Sequence, residues 1–163
     1  MQPIDHDKFM REAMRQARKA TESGDVPIGA VIVFEGEIIA RGRNMVEKNS
    51  DPTAHAEMIA IRKATKRIGY KHLLECSIYV TLEPCSMCAG AIVAARIPEV
   101  HFATTDPKAG ACGSVLNVCD CPRLNHRCDV SSGTLGGEAS AMLKEFFAML
   151  RARPKKKFDQ NTI

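Results

Sequence analysis

Two helix starts on either side of one strand restrict the fold of this chain more than anything else in it. His55-Ala56-Glu57 opens one amphipathic segment and Pro84-Cys85-Ser86-Met87-Cys88 opens another, with the apolar run Ser77-Ile78-Tyr79-Val80-Thr81 between them. Cysteines three apart on a helix share a face. Cys85 and Cys88 can therefore bind one ion, and the positive end of a helix dipole favours their thiolates. Pro84 suits a first helical turn, where no N–H donor is needed. Residues two apart diverge in mid-helix, so His55 and Glu57 reach one site only from a first turn, and Thr53 is the N-cap expected to put them there.

His55, Cys85 and Cys88 make three ligands with mixed nitrogen and sulfur donors. That set suits tetrahedral zinc, and three protein ligands leave the fourth position open, as in a catalytic site. Zinc can bring the pKa of a water there from 15.7 to about 7. Two thiolates blunt that effect, so a carboxylate is needed to accept the water proton, and Glu57 is the candidate. The plainer alternatives are a pair of buried apolar thiols, half of a four-ligand structural site, and an acid that merely decorates a helix start.

Apolar spacing organises the rest of the chain. Phe9, Ala13, Met14, Ala17 and Ala20 share one face of a helix expected from Asp5 to Glu22, which Ser23-Gly24-Asp25 stops. Ala30 to Phe34 and Ile38 to Ala40 flank Glu35-Gly36 as an antiparallel hairpin. An irregular stretch from Gly42 to Thr53 precedes the second helix, which runs to about Ile68 with Met58, Ile61, Ala64 and Ile68 inward. The strand Ser77 to Thr81, a helix from Cys85 to Ala95 and a strand from Val100 to Thr104 follow. Thr105 to Arg127 reads as loop with one short helix near Ser114 to Val118, and Arg127 to Ser131 as a fifth strand. A last helix from about Glu138 to Arg151 carries Ala139, Met142, Leu143, Phe146 and Leu150 on one face, and Pro154 ends it. Alternation of helix and strand without repeats or a linker predicts one α/β layered domain over 1–153.

The chain has 163 residues and a formal charge of +4. Five of its 23 basic residues lie between Arg151 and Lys157, which leaves 18 against the 19 acidic ones elsewhere. The basic excess is thus a property of the C-terminal end, and 154–163 is expected to be a basic, flexible tail that either contacts phosphates or is simply solvated. Apolar runs such as Ala91 to Ala95 are far shorter than a transmembrane helix needs, and the first residues lack a signal-peptide layout. The expectation is a cytoplasmic protein without membrane contact. Seven cysteines, an odd number, favour thiols and metal ligation over a disulfide framework.

His55-Ala56-Glu57 with Pro84-Cys85-Ser86-Met87-Cys88 resembles the zinc-dependent cytidine and adenosine deaminase superfamily. Within it the chain is most similar to the bacterial tRNA adenosine deaminases. That likeness runs through Asp25-Val26-Pro27-Ile28-Gly29-Ala30, Asn44, Asp51 to Glu57, Tyr79 to Gly90, Asp106-Pro107-Lys108-Ala109-Gly110, Gly113-Ser114, Asn125-His126-Arg127 and Glu145-Phe146-Phe147. The resemblance implies a three-layer α/β/α fold around a five-stranded mixed sheet and a homodimer with one zinc ion per subunit. It also implies hydrolysis of adenosine to inosine at the wobble position of a tRNA anticodon stem-loop. In the same way it assigns Glu57 to proton transfer, Asn44 and the Ala56 N–H to the flipped base, and Asp106 to a neighbouring ribose. Phe147 is a candidate for base stacking, with core packing the alternative, while Asn44 and Asp106 can each be read as turn residues. Thr104-Thr105 and Pro107 depart from the family pattern in a substrate-side loop, and Cys119, Cys121, His126 and Cys128 raise the idea of a second metal site.

Two other readings compete with a tRNA deaminase. A deaminase of free bases or nucleosides, such as guanine or cytidine, would carry the same zinc motifs. A zinc-stabilised RNA-binding module would not need a carboxylate such as Glu57 beside an open metal position.

Overall fold

The computed structural model describes residues 3–154. Helix α1 (His6–Ala20) begins where the Asp5 carboxylate accepts the Lys8 N–H at 3.1 Å, as an acid at a positive helix end should. A 3₁₀ turn over Thr21–Ser23 extends it, and Gly24 ends it at φ 78°. Strands β1 (Gly29–Phe34) and β2 (Glu37–Arg43) form the expected hairpin. Its two turn residues, Glu35 and Gly36, both have positive φ, the conformation that matches the twist of paired strands. The short helix α2 (Val46–Asn49) then leads into α3 (Ala56–Ile68). Beyond it lie β3 (Cys76–Leu82), α4 (Ser86–Ala94), β4 (Glu99–Thr104), β5 (Asp129–Ser132) and α5 (Gly136–Ala152).

The sheet order is β2-β1-β3-β4-β5, with β1 antiparallel to both neighbours and β3, β4 and β5 mutually parallel. Because side chains alternate along a strand, Ala30, Ile32, Ile78 and Val80 fill one face against α3 and α4. Val31, Val33 and Tyr79 fill the other against α1 and the start of α5. Both faces are covered, which gives the expected three-layer α/β/α fold and explains why the strands read as unbroken apolar runs. Gly42 lets β2 come close to α3, since a Cβ there would run into the Ala56 carbonyl oxygen.

Several local expectations are corrected. The stretch after Gly42 is not wholly irregular, because β2 continues to Arg43 and α2 follows. Thr53 does not cap α3: its hydroxyl bonds to Asp51 at 2.7 Å, and His55 holds the cap position. Pro84 precedes the cap residue Cys85 and so lies outside the first turn of α4. Ser114 to Val118 is a turn closed by a bridge between Cys112 and Asn117, not a helix, since Gly113 in a positive-φ conformation lets the chain reverse there. The fifth strand begins at Asp129, not Arg127. Ile68 sits at the end of α3 and is exposed. In α5 only Ala139 is buried, and Leu150 and Phe147 are exposed, because the helix crosses β3 and β4 with its first turns and then runs past them. The expected tail lies, apart from Pro154, outside the described residues.

Candidate metal centre and substrate groove

His55 and Cys85 occupy equivalent backbone positions. Each is the extended cap residue of its helix, with φ/ψ of −71°/154° and −72°/176°, and neither side chain caps its own helix. The side chains turn instead toward each other. His55 Nδ1 lies 3.6 Å from Cys85 Sγ and 3.5 Å from Cys88 Sγ, and the three ligand atoms fall within 4.8 Å of one another. Tetrahedral zinc with Zn–N and Zn–S bonds of about 2.0 and 2.3 Å sets neighbouring nitrogen and sulfur ligands about 3.5 Å apart. The donor set and its spacing both fit that ion. The positive ends of α3 and α4 meet at the same point and favour thiolates.

The protonation pattern fits as well. The Cys88 thiol donates to Cys85 and pulls its pKa down to about 3 against the cost of burial, with His55 assisting. The same shared proton, together with burial, pushes Cys88 up, and the Cys85 sulfur raises the His55 imidazole. One proton held between two sulfurs is what a divalent cation displaces. Glu57, the second residue of α3, is 3% exposed, and burial raises its carboxyl above the ordinary range. A buried carboxyl beside these three ligand atoms, with its proton affinity raised by desolvation, is suited to move protons.

Asn44 directly follows β2 and is buried. Its amide donates to the Val26 carbonyl at 3.3 Å and accepts the Val46 N–H at 3.3 Å, which leaves a second N–H and a lone pair for a ligand. Ala56 is the first residue of α3 and fully buried, so its N–H is one of the first-turn donors without a helical acceptor. Asp106 and Phe147 both line a groove of about 630 Å³, together with Leu82, Lys108, Lys144 and Arg151. Asp106 does form a turn, accepting from the Lys108 and Ala109 amides. Phe147 is 40% exposed and belongs to the groove, not the core. Cys119 and Cys128 are neighbours, with the Cys128 N–H on the Cys119 carbonyl at 2.8 Å, but Cys119, Cys121, His126 and Cys128 do not gather into one ligand group. His126 Nε2 bonds to the Ile97 carbonyl at 2.7 Å, and among the described residues only His55, Cys85 and Cys88 form a ligand group.

Two buried carboxylates that hold the site together carried no role in the sequence reading. Asp25 is fully buried and accepts the Glu47 and Lys48 amides at 2.6 and 3.3 Å, fixing α2 beside Asn44. Glu83, directly after β3, accepts the amides of Asp106, Cys112 and Ser114 as well as the Ser114 hydroxyl. Burial opposes its ionisation, yet those donors outweigh it and hold the carboxyl below its usual range. Gly110 is required beside it, since a Cβ there would meet the Glu83 carboxylate. The one available signal for Glu83 was an acid placed between a buried strand and a metal-ligand motif.

Residues 4–151 match the family model described as MafB19-like deaminase. A tRNA-specific adenosine deaminase of Aquifex aeolicus is 51% identical over 143 residues, 88% of this chain and 94% of that one. One from Bacillus subtilis is 48% identical over 147 residues, 90% of this chain and 91% of that one. A solved structure from work on A-to-I editing by tRNA:A34 deaminases superimposes with a TM-score of 0.80 at 43% identity, covering 83% of this chain and 99% of that one.

Proposed function

This chain belongs to the MafB19-like deaminase family, and on that premise we propose that it is a tRNA-specific adenosine deaminase. It converts the wobble adenosine of an anticodon stem-loop to inosine with the release of ammonia. The observation that carries the reading is the convergence of His55, Cys85 and Cys88 at zinc-ligand spacing with buried Glu57 one helical step away. His55, Cys85 and Cys88 would hold one Zn²⁺ per subunit. When bound, that ion supplies the Lewis acidity that brings a water close to ionisation at neutral pH. Glu57 takes the two protons of the attacking water in turn, passing the first to the purine ring nitrogen and the second to the departing amine, so no charge is stranded in a buried site. Asn44 and the Ala56 N–H orient the flipped base by its edge. Asp106 bonds to a neighbouring ribose hydroxyl, and Phe147 stacks on an unpaired base across the groove.

The deaminase domain spans 1–153, and 154–163 form a basic tail. The enzyme works as a cytoplasmic homodimer: exposed Val115, Leu116 and Leu124 on the segment after β4 suit a protein contact, and sedimentation velocity reads the state directly. Zinc-loaded protein offered an anticodon stem-loop with wobble adenosine, the same stem-loop with cytidine, and free adenosine, cytidine and guanine should turn over only the first. Comparable turnover of a free base would move the assignment to a nucleobase deaminase, and binding without turnover to an RNA-binding module.

A further inference from the structure

Three cysteines that play no part in the metal centre form a second sulfur cluster. Cys112, Cys119 and Cys128 are all buried. The Cys112 thiol donates to Cys119 Sγ at a sulfur–sulfur distance of 3.0 Å, and Cys128 is held beside Cys119 by its N–H on the Cys119 carbonyl at 2.8 Å. The backbone holds this arrangement independently of the side chains. Cys112 bridges to Asn117, Val118 N–H donates to the Ala111 carbonyl, and Cys128 N–H donates to the Cys119 carbonyl. The Cys112 amide is also fixed by the buried Glu83 carboxylate. Two thiols are therefore in contact across a closed turn, in a long segment that has no helix or strand of its own.

We infer that Cys112 and Cys119 are a redox-active dithiol that closes to an intramolecular disulfide when the protein meets hydrogen peroxide. Cys112 is the more accessible of the two, at 8% against 0%, and its sulfur meets the peroxide first. It attacks the O–O bond, forms an S–O bond and releases one water. Cys119 sulfur then attacks that oxidised sulfur, forming the S–S bond and expelling the hydroxyl as a second water. Two thiols lose two electrons and two protons, and one peroxide is reduced to two waters. The disulfide closes the turn that begins at Gly110, which is itself bridged to the zinc-ligand position Cys85. Oxidation thus clamps the wall of the metal centre without consuming a ligand.

The full-length zinc-loaded protein is treated with hydrogen peroxide, its remaining thiols are alkylated, and it is digested with trypsin. Cys112 and Cys119 fall in one tryptic peptide, Ala109 to Arg123, whereas Cys128 begins another. The expected product is that peptide short of two hydrogens, restored by dithiothreitol. It should form in the parent and in Cys121→Ser but not in Cys119→Ser or Cys112→Ala. Zinc content should stay unchanged throughout. Loss of the two hydrogens in Cys119→Ser, a cross-link to the Cys128 peptide instead, or full alkylation of both cysteines after peroxide would each overturn the assignment. None of these readouts depends on deaminase activity, so the inference stands or falls apart from the proposed function.

Discussion

Glu57 and Cys88 sit one helical turn or less from their helix starts and touch the same site, yet their removal should have opposite signatures. Glu57→Gln keeps the shape and all three ligand atoms, so atomic absorption should find about one zinc per chain while single-turnover deamination falls by several orders of magnitude. Zinc loss in that variant would remove Glu57 from proton transfer. Cys88→Ala deletes a ligand and should lose the metal and lower the melting temperature, because the ion ties two helix starts together; retained zinc would contradict this. Glu83 belongs to a different class of residue, since it reaches the site only through backbone amides. Glu83→Gln should cost about 2 kcal/mol at neutral pH, as expected for a buried charged acceptor, with faster amide exchange at 106–114. A carboxyl whose folded-state value lies below its ordinary 4.5 contributes stability above that value and loses it as the pH falls through the lowered one. The melting temperatures of parent and Glu83→Gln should therefore converge on acidification.

At the scale of elements, the site depends on how closely β2 approaches the start of α3. Gly42 makes that approach possible, and a methyl group there meets backbone, which cannot rotate away. Gly42→Ala should destabilise the protein by about 1 to 3 kcal/mol and displace His55 and Glu57 together, so zinc affinity and rate should fall in parallel. Normal metal binding with normal turnover would show that α3 does not depend on this contact. Helix α5 behaves differently, because its second half lies beyond the sheet and its apolar side chains line the groove. Phe147→Ala should change stability by less than about 1 kcal/mol yet weaken stem-loop binding by about 1 to 3 kcal/mol, the range for loss of a stacked base. A large drop in melting temperature with unchanged RNA affinity would return Phe147 to the core.

At the scale of the whole molecule, the proposed RNA binding can draw on basic residues of the groove and of the C-terminal sequence. Lys108, Lys144 and Arg151 line the groove, and Arg153, Lys155, Lys156 and Lys157 follow in the C-terminal sequence. On single-stranded RNA each phosphate contact contributes roughly 0.7 to the log–log salt slope of binding. Neutralising Lys108, Lys144 and Arg151 together should flatten that slope by about 2, and deleting Pro154 to Ile163 by about 1 to 2. Single-turnover chemistry at saturation should be unaffected by the deletion. A slope that does not move would place the phosphates elsewhere, and a loss of single-turnover rate on deletion would make the tail part of the pocket.

The His55, Cys85 and Cys88 group that could hold a metal was legible in the chain itself because ligand chemistry is local. His55, Glu57, Cys85 and Cys88 occupy helix starts marked by their own residue types, and zinc geometry then requires the two starts to meet. The order of elements was legible for a similar reason, since burial on both faces writes continuous apolar runs into β1 and β3, and a helix buried on one face writes a 3.6-residue period. What local pattern could not express was decided by tertiary contacts. Thr53 has the right chemistry for an N-cap, but Asp51 holds its hydroxyl and the need to face Cys85 makes His55 the cap residue. The apolar stripe of α5 promises a core position, but only the sheet's extent determines that Phe147 and Leu150 lie past its edge. Glu83 and Asp25 look like surface acids in the sequence. They become structural because amides from segments distant along the chain, 106–114 and 47–48, converge on carboxylates that folding has removed from water.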